Sequence, residues 1–201
     1  QISPGYREDE GPYTYHGNPD VQPETNDSVE LGVGWTSPQA TAMLTLFHNQ
    51  VDNLIVARLF DVVAGRNQYV FDNIDEATLR GAEASLRALL GGGFWATLNY
   101  QYLTALDGDG QRLEKRPRHS IGARLDWAWG PWTAGLLVTS TRGQLLASTV
   151  PGQPPQPAPT LTLLGAQAQW QITPVLELGV GVDNLNDTRL SEKSPLFTYA
   201  E

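Results

Sequence analysis

The side chains able to do chemistry are few and scattered. His16, His48 and His119 lie far apart in the chain, without the close pairing that brings imidazoles onto one metal ion. Asp107-Gly108-Asp109-Gly110 offers the oxygens of a Ca²⁺ loop, but the sixth residue after Gly110 is Arg116 where such a loop needs a bidentate glutamate. That run reads better as a hairpin loop rich in turn formers. Gly91-Gly92-Gly93 lacks the following helix that makes a glycine loop bind phosphate, and reads as a tight turn. Ser140 and Ser148 have no nucleophile-elbow context, and nothing pairs Glu83 with Glu177 as acid and base. With no cysteine there is no thiolate metal site, cysteine nucleophile or disulfide frame. No enzyme, metal site or resident cofactor is therefore expected.

Composition narrows the classes further. The 201 residues carry 13 Lys and Arg against 22 Asp and Glu, a net charge of −9, which argues against a nucleic-acid partner. Length allows one domain or part of a larger one. No apolar run approaches the roughly 18 residues of a membrane-spanning helix. That test is blind to transmembrane β-barrels, whose alternating strands average to a mild hydropathy, here −0.30. Gln1 opens directly into a polar stretch without an initiator Met or an apolar leader, so the chain reads as a mature protein or a fragment.

Period-two alternation dominates. Ala82, Ala84, Leu86 and Ala88 alternate with Glu83, Ser85 and Arg87, and Ile121, Ala123, Leu125 and Trp127 with Gly122, Arg124 and Asp126. Similar segments elsewhere give about eight antiparallel strands, near the roughly 9–11 residues of a tilted membrane strand, and no convincing helix. Short links at 36–39, 91–93, 130–131 and 172–174 alternate with long polar ones at 57–68, 105–118, 143–159 and from 188 onward. In an up-and-down meander all short turns then lie at one end and all long loops at the other, as in outer-membrane barrels. The six tryptophans stand beside short turns, whereas Tyr6, Tyr13, Tyr15, Tyr69 and Tyr199 stand in or beside long polar segments, as expected of rings at two headgroup levels. Alternation alone also fits a soluble sandwich; the loop asymmetry and the tryptophan band favour lipid.

Four motifs give these strands a family likeness. Gly17-Asn18-Pro19-Asp20-Val21-Gln22-Pro23-Glu24-Thr25, leading to Glu30-Leu31-Gly32, resembles the G-N-P-x-L-K-P-E segment before E-x-G in the barrel of TonB-dependent outer-membrane receptors. Val21 and Gln22 depart from the usual Leu and Lys. Leu46 to Ile55, with Asn53-Leu54-Ile55 at its end, looks like a further strand of that barrel. Asn73 to Ala77 leading to Gly81-Ala82-Glu83, and Asp183-Asn184-Leu185-Asn186-Asp187, resemble two more of its segments, with Asn186 where an aromatic is usual. Residues 196–201 are similar to the approach to its closing strand.

The resemblance implies part of a barrel of about 22 strands, later in its order, without the luminal plug and the last strand. It divides the chain into an extracellular loop segment, 1–27, and barrel strands with short periplasmic turns and long extracellular loops, 28–201. It further implies a siderophore receptor in the outer membrane of a Gram-negative cell, importing a ferric siderophore or similar nutrient, contacting lipid, and driven by the TonB complex through the plug. Loop residues Arg7, Tyr13, Tyr15, Arg66, Arg112, Lys115 and Arg116 are then candidate contacts for an anionic, aromatic-rich ligand. Asn18, Pro19, Pro23, Glu24, Glu30 and Gly32, with Gly81, Glu83, Asn184, Leu185 and Asp187, are expected to be structural. Two other readings stay open: a complete small outer-membrane barrel of structural role, disfavoured because it would leave both termini outside, and a soluble all-β binding module.

Overall fold

The computed structural model describes residues 7–10, 13–146, 148 and 153–193. Its elements are β1 (Arg7–Glu10), β2 (Tyr13–His16), β3 (Thr25–Thr36), β4 (Ala40–Val63), β5 (Arg66–Gly91), β6 (Phe94–Asp107), β7 (His119–Trp129), β8 (Trp132–Arg142), β9 (Leu145–Leu146), β10 (Gln156–Pro157), β11 (Leu161–Thr173), β12 (Leu176–Val182) and a single helical turn, α1 (Leu190–Lys193). Eight long strands, β3 to β8 with β11 and β12, pair antiparallel with their chain neighbours in one meander. Within the described residues the sheet is open, with β3, β12 and the short β1 at its edges.

Local chemistry closes the short turns. The Ser37 amide donates to Ala40 O at 2.7 Å, and Gly92, Gly93 and Gly130 take the positive φ values that side chains resist. Register then aligns the apolar residues. Trp35, Ala42, Leu86 and Leu98 form one row continuing through Ala123, Val138 and Leu164. The neighbouring row on the opposite face holds Gly34, Met43, Ser85, Asn99 and Gly122. Along β3 the apolar residues Val29, Leu31 and Val33 are 71, 70 and 66% exposed, because no second layer among the described residues covers that face. This is opposite to a soluble sandwich, in which the apolar face is the buried one. The buried apolar residues, Tyr69, Ala77, Ala105 and Leu113, all lie toward the long-loop end.

Trp35, Trp127, Trp129, Trp132 and Trp170 share the apolar face near the short turns. Trp132 and Trp170 stack with centroids 5.1 Å apart, and Trp127 stacks on Trp129 at 6.1 Å. Trp95 departs from this band. It pairs with Asp126 on the polar face, under the Arg87 guanidinium at 4.6 Å.

The 57–68 segment, expected as a long loop, is strand. β4 and β5 run to a two-residue turn at Ala64-Gly65, where φ is +52° and +77°. A bulge between Leu59 and Asp61 shifts the register by one residue and destroys the alternation there. The 1–27 segment is also not all loop, since it holds β1, β2 and the start of β3 at Thr25. Among the strand-region residues, 190–193 form the helical turn, and the stretch 196–201 lies outside the described residues.

Candidate functional site

The long β4–β5 hairpin projects beyond β6, whose pairing with β5 stops at Ala77 and Asp107. The edge of β5 left above that point is taken by β2, which pairs with it in parallel from Tyr13 opposite Asn67 to His16 opposite Val70. Four aromatic rings meet there. Tyr15 stacks on Tyr69 at 5.4 Å and on Phe71 at 6.1 Å, and Tyr13 meets Tyr69 edge-on at 5.8 Å. The Lys115 ammonium sits 5.8 Å from the Tyr69 ring centroid. On β1, Asp9 accepts a hydrogen bond from the fully buried Thr14 hydroxyl at 2.7 Å and receives Arg66 at 3.1 Å and Arg7 at 3.8 Å. The Thr14 bond above all, helped by the two guanidiniums, holds the Asp9 carboxyl below its usual range.

Residues 17–24 cross from this hairpin to β3 and are tied to the strands by side chains. Asn18 donates to Phe71 O at 3.0 Å and its Oδ1 accepts the Asp20 amide at 3.0 Å, so Pro19 sits inside a side-chain-closed turn. Asn73 Oδ1 accepts the Gln22 amide at 2.7 Å, and Asn73 Nδ2 donates to Gln22 O at 3.1 Å and Asn53 O at 2.6 Å. Glu24, after the extended Pro23, accepts the Ile55 amide at 2.6 Å. The motif is thus a set of clamps holding the N-terminal hairpin on the β4–β5 projection.

The 108–118 connection folds inward. Leu113 donates its amide to Ala105 O at 3.0 Å and packs against Ala77 and Ala105, on the face that is polar farther down the sheet. The Lys115 amide reaches Leu145 O at 2.7 Å, joining this loop to the 143–160 connection, and the Arg112 guanidinium donates to Gly143 O. Between the projecting hairpin and this loop is a cleft of about 570 Å³ whose lining includes Arg58, Arg112, Glu114, Lys115 and Arg116. Burial pushes the Glu114 carboxyl up, against the opposing pull of the Lys115 cation. Burial, with Arg118 close by, lowers the Arg112 guanidinium. Cations, an amphipathic wall and adjacent stacked rings suit an anionic ligand that carries aromatic groups.

Of the candidate contacts, Arg112, Lys115 and Arg116 line this cleft, and Tyr13 and Tyr15 belong to the ring cluster under Lys115. Arg7 and Arg66 converge instead on Asp9. Two residues that carry the site escape sequence reasoning. Leu113 looks like an exposed loop residue, and Arg58, paired with Asp72 at 3.1 Å, falls where the bulge hides the strand pattern. Lower on the sheet, a Cβ at Gly81 would stand 1.9 Å from Tyr102 O and 2.9 Å from Phe47 Cζ, so only glycine fits. Glu83 accepts from Gln101 Nε2 at 2.8 Å. Glu30 and Gly32 are ladder positions opposite Phe47 and Thr45. Asn184, with φ +54°, bonds Thr188 through both its side-chain atoms, the Leu185 amide donates to Leu164 O, and Asp187 pairs with Arg189 at 3.2 Å.

Residues 2–185 match the family model described as TonB dependent receptor-like, beta-barrel. The chain is 28% identical over 187 residues to the ferrienterobactin receptor of Escherichia coli, covering 87% of the chain and 25% of that protein. It is 27% identical over 192 residues to the ferric enterobactin receptor of Pseudomonas aeruginosa, covering 87% of the chain and 26% of that relative. A substituted form of the Pseudomonas aeruginosa ferric enterobactin receptor, solved in complex with enterobactin, superposes with a TM-score of 0.66 at 25% identity, over 88% of the chain and 28% of that structure. The chain spans about a quarter of the length of these curated relatives.

Proposed function

Because the chain belongs to the TonB-dependent receptor-like β-barrel family, we propose that it forms part of an outer-membrane transporter for a ferric siderophore of the catecholate type. The observation that carries this reading is the long-loop cleft lined by Arg112, Lys115 and Arg116, whose Lys115 also reaches the Tyr69 ring of the Tyr13, Tyr15 and Tyr69 cluster next to it. A ferric tris-catecholate is a trianion faced with aromatic rings, so it needs both cations and stacking surfaces. The relatives named for enterobactin support the choice of ligand. The iron chelate is cargo, and the protein keeps no cofactor and does no chemistry on it.

The apolar face meets the lipid of a Gram-negative outer membrane, with the short turns toward the periplasm. Energy arrives from the TonB complex through a part of the receptor outside these strands. The test is binding and uptake by the whole receptor in an iron-starved cell. Wild type should bind ferric catecholate and import labelled iron, and Lys115→Gln with Arg116→Gln should weaken binding roughly tenfold. A receptor that ignores ferric catecholates while importing another nutrient would overturn the reading.

A further inference from the structure

We infer that Asp109 is a site of spontaneous backbone modification, where the link to Gly110 closes to a succinimide and reopens as an isoaspartyl link, and that this change unseats the 108–118 loop from the cleft. Two Asp-Gly links stand side by side in the sequence, Asp107-Gly108 and Asp109-Gly110. Glycine carries no Cβ, so in each link little shields the nitrogen that must reach the aspartate side chain. By residue type the two links are equivalent, and the fold separates them.

Asp107 is pinned. It ends β6 opposite Ala77, its amide donates to Gln111 O at 2.8 Å, and its Oδ1 accepts the amides of Asp109 at 3.1 Å and Gln111 at 2.7 Å. It is half-buried, and a Cβ on Gly108 would stand 3.7 Å from Glu76 Cβ, so the chain there is packed against β5. Asp109 is exposed, and among the described residues its carboxylate accepts no hydrogen bond and joins no ion pair. Gly110 has φ +76° and open space around it, and its amide makes one bond among the described residues, to Asp107 O at 2.9 Å. Freeing the Asp109 link therefore opens one exposed bond, whereas the Asp107 carboxylate must leave two amides at the end of a strand ladder. Each such bond withholds a few-fold of the reactive population, so Asp107 should react about tenfold more slowly than Asp109.

The reaction needs only water. The Gly110 nitrogen gives up its proton and bonds Asp109 Cγ, while one carboxyl oxygen leaves as water. Water then adds back to the ring. Opening at Cγ restores aspartate, and opening at the main-chain carbonyl leaves Gly110 joined through the side chain, with a new carboxylate on Cα and one more carbon in the backbone path. That carbon enters a short hairpin tip. Asp107 bonds both Gly110 and Gln111 across it, and beyond it Leu106 bridges Arg112 and the Leu113 amide reaches Ala105 O. A lengthened tip mismatches the two arms, so Gln111 and Arg112, which line the cleft, lose their register with β6, and Leu113 loosens from Ala77 and Ala105.

The experiment holds the whole receptor in mild detergent at growth temperature over weeks, digests samples, and locates isoaspartyl links by electron-transfer fragmentation in a mass spectrometer. The folded receptor should gain the link at Asp109 about tenfold faster than at Asp107, and the urea-unfolded receptor at equal rates. Equal rates in the folded protein, a faster Asp107, or no isoaspartyl link at Asp109 while the unfolded chain forms it, each overturns the assignment. Hydrogen exchange then reads the consequence. The isomerised fraction of aged wild type should exchange the Leu113 amide several-fold faster than fresh protein, and aged Asp109→Glu, whose longer side chain closes a larger ring far more slowly, should exchange as fresh protein does. If Asp109→Glu loses its heat-modifiable gel mobility, Asp109→Ser, which cannot form the imide, takes its place. Leu113 exchange that is unchanged in the isomerised fraction, or equally fast in the aged variant, overturns the link between isomerisation and loop release.

Discussion

Asn73 makes two of the hydrogen bonds that seat the 17–24 segment and a third to Asn53 on β4, and its loss has a calculable cost. In Asn73→Ala the Gln22 amide and carbonyl lose partners at 2.7 and 3.1 Å, and Asn53 O loses one at 2.6 Å. The two Gln22 bonds are exposed, so water replaces them and each is worth about 0.5 kcal/mol. The Asn53 bond is half-buried and holds a residue at φ +56°, so about 1 kcal/mol is reasonable. Together about 2 kcal/mol should raise local opening about 30-fold. Hydrogen exchange read by mass spectrometry on the whole receptor would show this as faster exchange of 17–24 and of the Ile55 amide that Glu24 holds. The ladder from Ala82 to Ala88, paired with β6, should not change. Asn73→Asp keeps the acceptor for the Gln22 amide but turns an oxygen toward two carbonyls, so it should open at least as much. Unchanged exchange at 17–24, or uniform acceleration of the whole sheet, would refute the clamp.

Three further outcomes follow from local geometry. Gly81→Ala must move the Tyr102 carbonyl and the Phe47 ring, and should lower barrel stability by about 2 kcal/mol or block assembly, as read by heat-modifiable mobility in urea. Glu114, raised by burial above its ordinary 4.5, binds its proton more tightly in the docked loop. Docking of 108–118 is therefore strongest below about pH 4.5 and weakens as pH rises through the docked value, and Glu114→Gln should remove that dependence of Leu113 amide exchange. In bilayers of brominated lipid, a receptor keeping Trp170 alone should be strongly quenched and one keeping Trp95 alone should not, because Trp95 lies under Arg87 on the polar face. Equal quenching of the two would show that the faces are misassigned.

Much of the sheet was legible because alternation is a direct image of two faces with different neighbours. Register confirms it from Leu31 through Val180, and the glycine and proline turns fall where the chemistry of φ requires them. Legibility failed where another force took over. The bulge at Phe60 inverts the parity of β4, so Arg58 and Asp61 break a pattern that the backbone nevertheless continues. A hairpin that projects past its neighbours is not held to their length, and β4 and β5 reach 24 and 26 residues. β2 is four residues long and gains its place from an unpaired edge of β5, a partner 50 or more residues away that no local pattern reports. Leu113 is buried by the fold of its own loop onto Ala77 and Ala105. The cations of the cleft were legible as residue types only, since which of them end in ion pairs depends on where Asp9 and Asp72 lie.

The anionic cargo proposed for the cleft would meet a chain of net charge −9, an electrostatic problem that the cleft lining addresses locally. At physiological salt, charges beyond about 8 Å are largely screened, so only the lining counts. Arg58 is matched by Asp72, and Asp107 spends its carboxylate on the Asp109 and Gln111 amides of its own turn. Against the one carboxyl of Glu114, which burial raises and Lys115 lowers, Arg112, Lys115 and Arg116 stand as the working cations of the lining. Three cations at the rim of the cleft give a small field, and most of the binding free energy must then come from ring stacking and water release at the half-exposed Tyr15 and Phe71 rings, which Tyr69 backs from beneath. Raising salt from about 0.05 to 0.5 M should slow association by only a few-fold and leave dissociation nearly constant, whereas Tyr15→Ala should speed dissociation about tenfold. Stopped-flow quenching separates the two rates. An association rate that collapses a hundredfold with salt, with Tyr15→Ala silent, would show that long-range charge and not the aromatic surface holds the cargo.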